Sequence, residues 1–296
     1  MFILTAAGAV YGSVDGTKAL NSGGKVLFNA SRLSHLLALI FFITLFFYFI
    51  WRGKKGKELY IRPIDAIYEL DNAVGRACET GKPVLYAPGL GSLTDPVTVA
   101  SLNILSKVAQ KGAGLYTRTL VPNYGPLTWP VAQEVVRQAY IRAGKEKSYN
   151  SDDVPYFTSR SFTYAAATAG LMSKEKPATN FLIGHFYSES LILAETGAAL
   201  GAYQIGGTDS VEQLPFFITT CDKTLIGEEI FAASALVSKN PVERAVIKAS
   251  DVFKIVILIF FLGGFLATLM LDTFLQNYIS GDILEFLNEF RTGEWL

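Results

Sequence analysis

Two uncharged apolar runs, Leu33 to Trp51 and Ile255 to Leu271, bracket about two hundred residues of mixed sequence. A helix rises 1.5 Å per residue, so about 20 apolar residues cross the hydrocarbon core of a bilayer, and each run predicts a transmembrane helix. Polar groups of the first run lie near its ends or bond to the helix backbone. The second carries Gly263 and Gly264 at its centre, with Lys254 placed to snorkel at one end and Phe274 to extend the other.

Basic residues set the expected orientation. Arg52, Lys54, Lys55 and Lys57 follow the first run, and Lys239, Arg244, Lys248 and Lys254 precede the second. Lys and Arg gather on the cytoplasmic side of spans, so the centre of the chain is expected in the cytoplasm and both termini outside, in a two-span protein of the cell membrane. The chain divides into an extracytoplasmic segment 1–32, a span 33–51, a basic linker 52–60, a cytoplasmic domain 61–240, a linker helix 241–254, a span 255–273 and a tail 274–296. In the tail, Ile283, Leu287 and Phe290 fall at helical spacing against Asp282, Glu285 and Glu289. Met1 to Val10 lacks the basic n-region of a secretory signal.

Formal net charge is zero, which argues against a nucleic-acid partner. Cys78 and Cys221 are far apart, and two histidines alone cannot build a zinc site.

Between the runs, strand-like and helical patterns alternate. Pro63 to Thr80 reads as an amphipathic helix stopped by Gly81. Strands are expected at Pro83–Ala87, Leu115–Val121, Val154–Thr158, Phe181–Phe186, Ala202–Ile205 and Phe216–Thr220, with helices after most of them. This predicts an α/β fold: a Rossmann-like or flavodoxin-like three-layer domain with a mostly parallel sheet, flanked by two transmembrane helices.

Ligands of open parallel sheets bind outside the carboxyl ends of the strands. The expected strand ends carry Gly89, Gly91, Ser92, Thr94, Asn123, His185, Ser188, Gly207, Thr208, Asp209, Cys221 and Asp222, which together form the candidate ligand rim. Gly89-Leu-Gly-Ser92 before a helix could cradle an anion, because glycine lets backbone amides approach and a helix N-terminus is electropositive. The favoured reading is turn geometry, since short strand-to-helix turns use Gly and Ser for that alone. The segment lacks the third glycine of a dinucleotide fingerprint and the Lys of a P-loop, so the cofactor stays unknown. Cys221 activated by His185, with Asp209 or Asp222 orienting the imidazole, is the one nucleophile arrangement that can be assembled. Ser188 is expected as a helix N-cap, and Glu189, Glu195, Glu228 and Glu229 as first-turn residues on solvated faces.

Several segments carry a resemblance: Gly81-Lys-Pro-Val-Leu-Tyr-Ala-Pro-Gly-Leu-Gly91, Ala100–Leu105, Val131–Val136, Leu191–Gly197, Gln213–Phe217 and Leu225–Glu229. Over about residues 60 to 240 the chain resembles a family of uncharacterised prokaryotic membrane proteins with a cytoplasmic α/β domain of unknown function, sometimes joined to an extracellular fibronectin-type domain. The resemblance implies a membrane-tethered α/β domain and supplies no activity or catalytic residue.

The leading expectation is a non-enzymatic membrane protein that assembles into a homo-oligomeric scaffold, partnered by the lipid bilayer and leaving room for other membrane or extracytoplasmic subunits. The alternative is a membrane-tethered sensor or enzyme that binds a nucleotide or small anion at the rim.

Overall fold

The computed structural model describes residues 33–54, 65–238 and 241–278. The expected N-terminal segment, most of the basic linker and the tail beyond Tyr278 lie outside the described residues. Contacts divide the chain into two units, one holding α1 (Leu33–Lys54) up to Tyr48 and α9 (Pro241–Tyr278) from Ala249, the other Phe49–Lys248.

In the larger unit, α2 (Asp65–Thr80) buries Leu70, Ala73, Val74 and Ala77, a spacing of three and four that keeps one face on the core. Gly81, at φ +66°, ends it. The sheet then builds from β1 (Val84–Gly89), β2 (Thr119–Leu120), β3 (Thr179–His185), β4 (Tyr203–Thr208) and β5 (Lys223–Ile226), all parallel, in the order β2-β1-β3-β4-β5. Of the two expected architectures, this order is that of flavodoxin-like sheets.

Successive strand residues face opposite ways. Val84, Tyr86, Phe181, Ile183 and Ile205 pack with α2, α3 (Pro96–Gly114), α4 (Thr128–Arg142) and α8 (Glu229–Ser238). Leu85, Ala87 and Leu182 pack with α5 (Ser161–Glu175), α6 (Ser190–Ala199) and α7 (Leu214–Thr220). Helices on both faces explain why the centres of β1 and β3, Val84–Ala87 and Phe181–Ile183, read as continuous apolar runs rather than alternating ones. Buried polar groups pin the layers: the Tyr86 hydroxyl donates to Ser101 O at 2.7 Å, and the Ser101 hydroxyl donates to Ile183 O.

Three expected strands are corrected. Leu115–Val121 contracts to the two residues of β2. Val154–Thr158 supplies one bridge, Asn123 to Tyr156, and covers the open edge of β2: Val121 N–H donates to Asp153 O, and Asn123 N–H to Pro155 O. Phe216–Thr220 is helical. Pro215 sits in the first turn of α7, the hydroxyls of Thr219 and Thr220 bond back to carbonyls one turn earlier, and the fifth strand starts only at Lys223. A short apolar run has no period long enough to separate helix from strand.

The expected linker helix and second apolar run are one continuous helix, α9, which belongs to the smaller unit from Ala249 onward. Thr44 in α1 donates to Ile40 O at 2.8 Å, so its hydroxyl is satisfied within the helix. Phe42 of α1 meets Phe253 of α9 edge to face, with ring centroids 4.9 Å apart. Leu39, Phe41 and Phe47 on α1 and Ile255, Leu258 and Phe261 on α9 are exposed, and an open apolar groove of about 960 Å³ runs along Ile257, Leu258, Phe261, Leu262 and Phe265. Among the described residues, no helix is long and apolar enough to cross a membrane.

Candidate functional site

From β1 the chain crosses to β2 on one side of the sheet, then returns to β3 on the other, so the topological switch point falls between the carboxyl ends of β1 and β3. Backbone there approaches backbone. A Cβ on Gly89 (φ +86°) would lie 2.7 Å from His185 O, and one on Gly184 (φ +155°) would overlap Pro88 O. Leu90 N–H donates to His185 O at 2.8 Å, joining the two strand ends. The ladder shifts register between Ala87 and Gly89 to accommodate this pairing.

Above that junction, Gly91 is wedged among Thr98, Asp95 and His185, and any Cβ there would overlap the Thr98 hydroxyl. Ser92 N–H donates to Asp95 Oδ2 at 2.7 Å, and the hydroxyls of Ser92 and Thr94 bond to each other. Asp95 occupies the N-cap of α3 without capping it through its side chain, because that carboxylate is turned back onto Ser92. His185 Nδ1 lies 2.7 Å from Asp209 Oδ1, across the ends of β3 and β4, and the imidazole stands edge-on to the Tyr187 ring at 4.9 Å. Both partners of this pair are part-exposed.

The structure therefore brings together Gly89, Gly91, Ser92, Thr94, His185 and Asp209, with Thr208 buried just behind at the end of β4. Other expected members fall elsewhere. Gly207 lies inside β4, packed on Leu225. Asn123 is buried at the end of β2, where its amide donates to Val121 O. Ser188 is exposed and is not the N-cap of α6; Glu189 is. Glu189 itself is fully buried rather than on a solvated face: Oε1 accepts from Tyr187 N–H at 2.7 Å, and Oε2 has no hydrogen-bond partner among the described residues.

Cys221 and Asp222 precede β5 and lie at the amino end of the sheet, opposite His185, because the expected strand before them is helix α7. Asp222 accepts from Gln204 N–H at 2.7 Å, and Cys221 packs against Gly206. Burial pushes the Cys221 thiol up to about 12, the wrong direction for a nucleophile. The Cys221–His185 pairing is thus corrected; of the two expected aspartates, Asp209 is the one in hydrogen-bond contact with the imidazole. Thr98 and Asp95, one turn into or at the start of α3, are the site residues that sequence reasoning missed; the only local signal for them is Asp95-Pro96, a pair that suits a helix start.

Charge distinguishes the two ends of the sheet. Loops at the carboxyl ends, 90–95, 121–127, 186–189, 209–213 and 227–228, contain Asp95, Glu189, Asp209, Glu212 and Glu228 but no Lys or Arg. Arg160, at the start of α5, is the nearby cation. The amino ends of β1, β2, β3 and β5 mix Lys82, Arg118, Lys176 and Lys223 with Glu175 and Asp222, and Arg118 pairs with Asp153 and Glu175. An anion at Gly89–Ser92 would meet the carboxylates of Asp95 and Asp209 without a countercharge from these loops.

Fold and site together define a doubly wound α/β domain of flavodoxin-like strand order, with a polar crevice at its switch point. The chain belongs to the family defined by a domain of unknown function (DUF6754), whose model matches residues 23–279, in keeping with the resemblance to an uncharacterised family. Comparison with curated proteins gives no match, and comparison with solved structures gives none.

Proposed function

We propose that this chain is a membrane-anchored, non-enzymatic docking protein, with α1 and α9 in the bilayer and the carboxyl end of the α/β sheet as its recognition surface. The observation that carries the docking reading is the concentration of exposed apolar side chains there: Leu127 (73% exposed), Phe162 (61%), Tyr187 (56%) and Val211 (78%), together with Val99 and Ile226. All six lie in carboxyl-end loops, in a first helical turn beside them, or at the end of β5. Contiguous exposed apolar surface on a globular domain marks an interaction site.

The anchor reading is supported by the two uncharged runs, the outward-facing apolar side chains of α1 and α9 and the internally satisfied Thr44. Phe42 is central in the first run whereas Phe253 precedes the second, so the two runs are offset along their length where these rings meet. The exposed face of α9 around Gly263 and Gly264 also supports homo-oligomer formation through close helix approach.

Carbonate washing of membranes tests the anchor: the chain is expected to stay in the pellet, and its release rejects the reading. Reporter fusions after Lys57 and at Leu296 are expected on opposite sides of the membrane. A photo-crosslinking residue at Val211 is expected to give discrete protein adducts in cells, and one at exposed Tyr116, at the opposite end of the sheet, to give none. Equal labelling at both positions rejects docking at the rim. Gel filtration in mild detergent that yields only monomer rejects the homo-oligomer.

A further inference from the structure

We infer that the partner docked at this rim is a cationic, apolar peptide segment; the inference rests on the docking reading above. Two independent features point to that chemistry. Apolar side chains ring the surface, with Tyr187, Ile192 and Val211 on one face of the sheet and Leu127 and Val99 on the other. Interleaved with them are the carboxylates of Asp95, Asp209 and Glu212, in loops that carry no Lys or Arg. A neutral or acidic apolar segment would desolvate these carboxylates without compensation, whereas Lys or Arg would pair with them while its alkyl stem covered the apolar ring.

Glu189 strengthens the assignment. It lies in the loop after β3, is fully buried, and keeps Oε2 without a hydrogen-bond partner among the described residues. Its carboxylate adds to the negative field behind the rim, which favours a cationic occupant over an anionic one. His185 adds an acceptor of the same sense: with Nδ1–H donated to Asp209, the neutral ring leaves Nε2 to accept from a cationic ligand.

The test uses the full chain in nanodiscs of zwitterionic phosphatidylcholine, with empty nanodiscs subtracted. The probe is a short fluorescent peptide alternating Lys with Leu and Phe, and its counterpart has Glu in place of every Lys. Fluorescence anisotropy is expected to show binding of the Lys peptide that weakens with added salt. Glu212→Lys and Val211→Ser, both exposed and so expected to fold normally, are each expected to weaken it roughly three- to tenfold. Lys-peptide binding unchanged by Glu212→Lys, or matched by the Glu peptide, overturns the cationic assignment. Val211-dependent binding of the Glu peptide alone leaves the rim as a docking surface and removes only its proposed charge preference. Failure of both peptides to bind removes the inference and the docking reading together.

Discussion

His185 and Asp209 close a bond across the carboxyl ends of β3 and β4, Nδ1 to Oδ1 at 2.7 Å, and so fix one imidazole at the switch point of the sheet. The carboxylate accepts, so the neutral imidazole carries its proton on Nδ1 and leaves Nε2 as the acceptor. Asp209→Asn is expected to turn a single tautomer into a mixture, read from the nitrogen-15 shifts of the His185 ring. Its stability cost is expected to be at most about 1 kcal/mol, because both side chains are part-exposed. An unchanged tautomer in the variant would show that Asp209 does not set the imidazole.

Gly184 is expected to tolerate no side chain. Its φ of +155° and the Pro88 carbonyl in the path of a Cβ make Gly184→Ala destabilising by about 2 kcal/mol or more. Gly75 offers the contrast, since it lies within α2 with open space where a Cβ would go. Gly75→Ala is expected to stabilise by about 0.5–1 kcal/mol. Thermal melts of the two variants moving in opposite directions would support this account; a neutral Gly184→Ala would refute the close approach of β1 and β3.

Cys78 is exposed and Cys221 only part-exposed, with its thiol held protonated, so maleimide at neutral pH is expected to label Cys78 first and Cys221 much more slowly until the chain unfolds. The same burial links stability to pH. Folded Cys221 keeps its proton up to about 12, while an unfolded thiol releases it near 9, so between these values the unfolded chain binds fewer protons. This contribution is fully present below pH 9 and declines by up to about 1.4 kcal/mol per unit as pH rises towards 12. Cys221→Ala is expected to flatten that part of the alkaline profile, and an unaltered slope would contradict the burial.

Tyr86→Phe removes the donor to Ser101 O from a fully buried site between β1 and α3. A cost of about 1–2 kcal/mol is expected, measured by chemical denaturation. Ser101→Ala is expected to cost a comparable amount, and the double variant less than their sum, because both side chains belong to one hydrogen-bonded chain ending at Ile183 O. Full additivity would show that the two act separately.

The parallel sheet was legible where strands are buried on both faces: Pro83–Ala87 and Phe181–Gly184 carry no charged or strongly polar side chain, as a covered strand requires. Phe216–Thr220 has the same look but buries Phe217 from a helix, since Pro215 and the threonine hydroxyls favour a turn of helix. That single misreading moved Cys221 and Asp222 from one end of the sheet to the other. Half of the crevice was legible because strand-end residues converge wherever strands are parallel, as Gly89, Gly91, His185 and Asp209 do. Thr98 and Glu189 escaped because their burial depends on how α3 and α6 seat against the sheet, which no local pattern records.

The Phe42–Phe253 contact joins positions about 210 residues apart, so α1 and α9 clasp a closed loop containing the entire α/β domain. During synthesis the first helix must wait for the whole loop to emerge before its aromatic partner exists. Closing so long a loop adds little entropy beyond closing a shorter one, and prior compaction of the domain lowers it further. The clasp is therefore a late event in biogenesis, and a truncation before Phe253 would leave the first helix without its mate while the sheet is already complete.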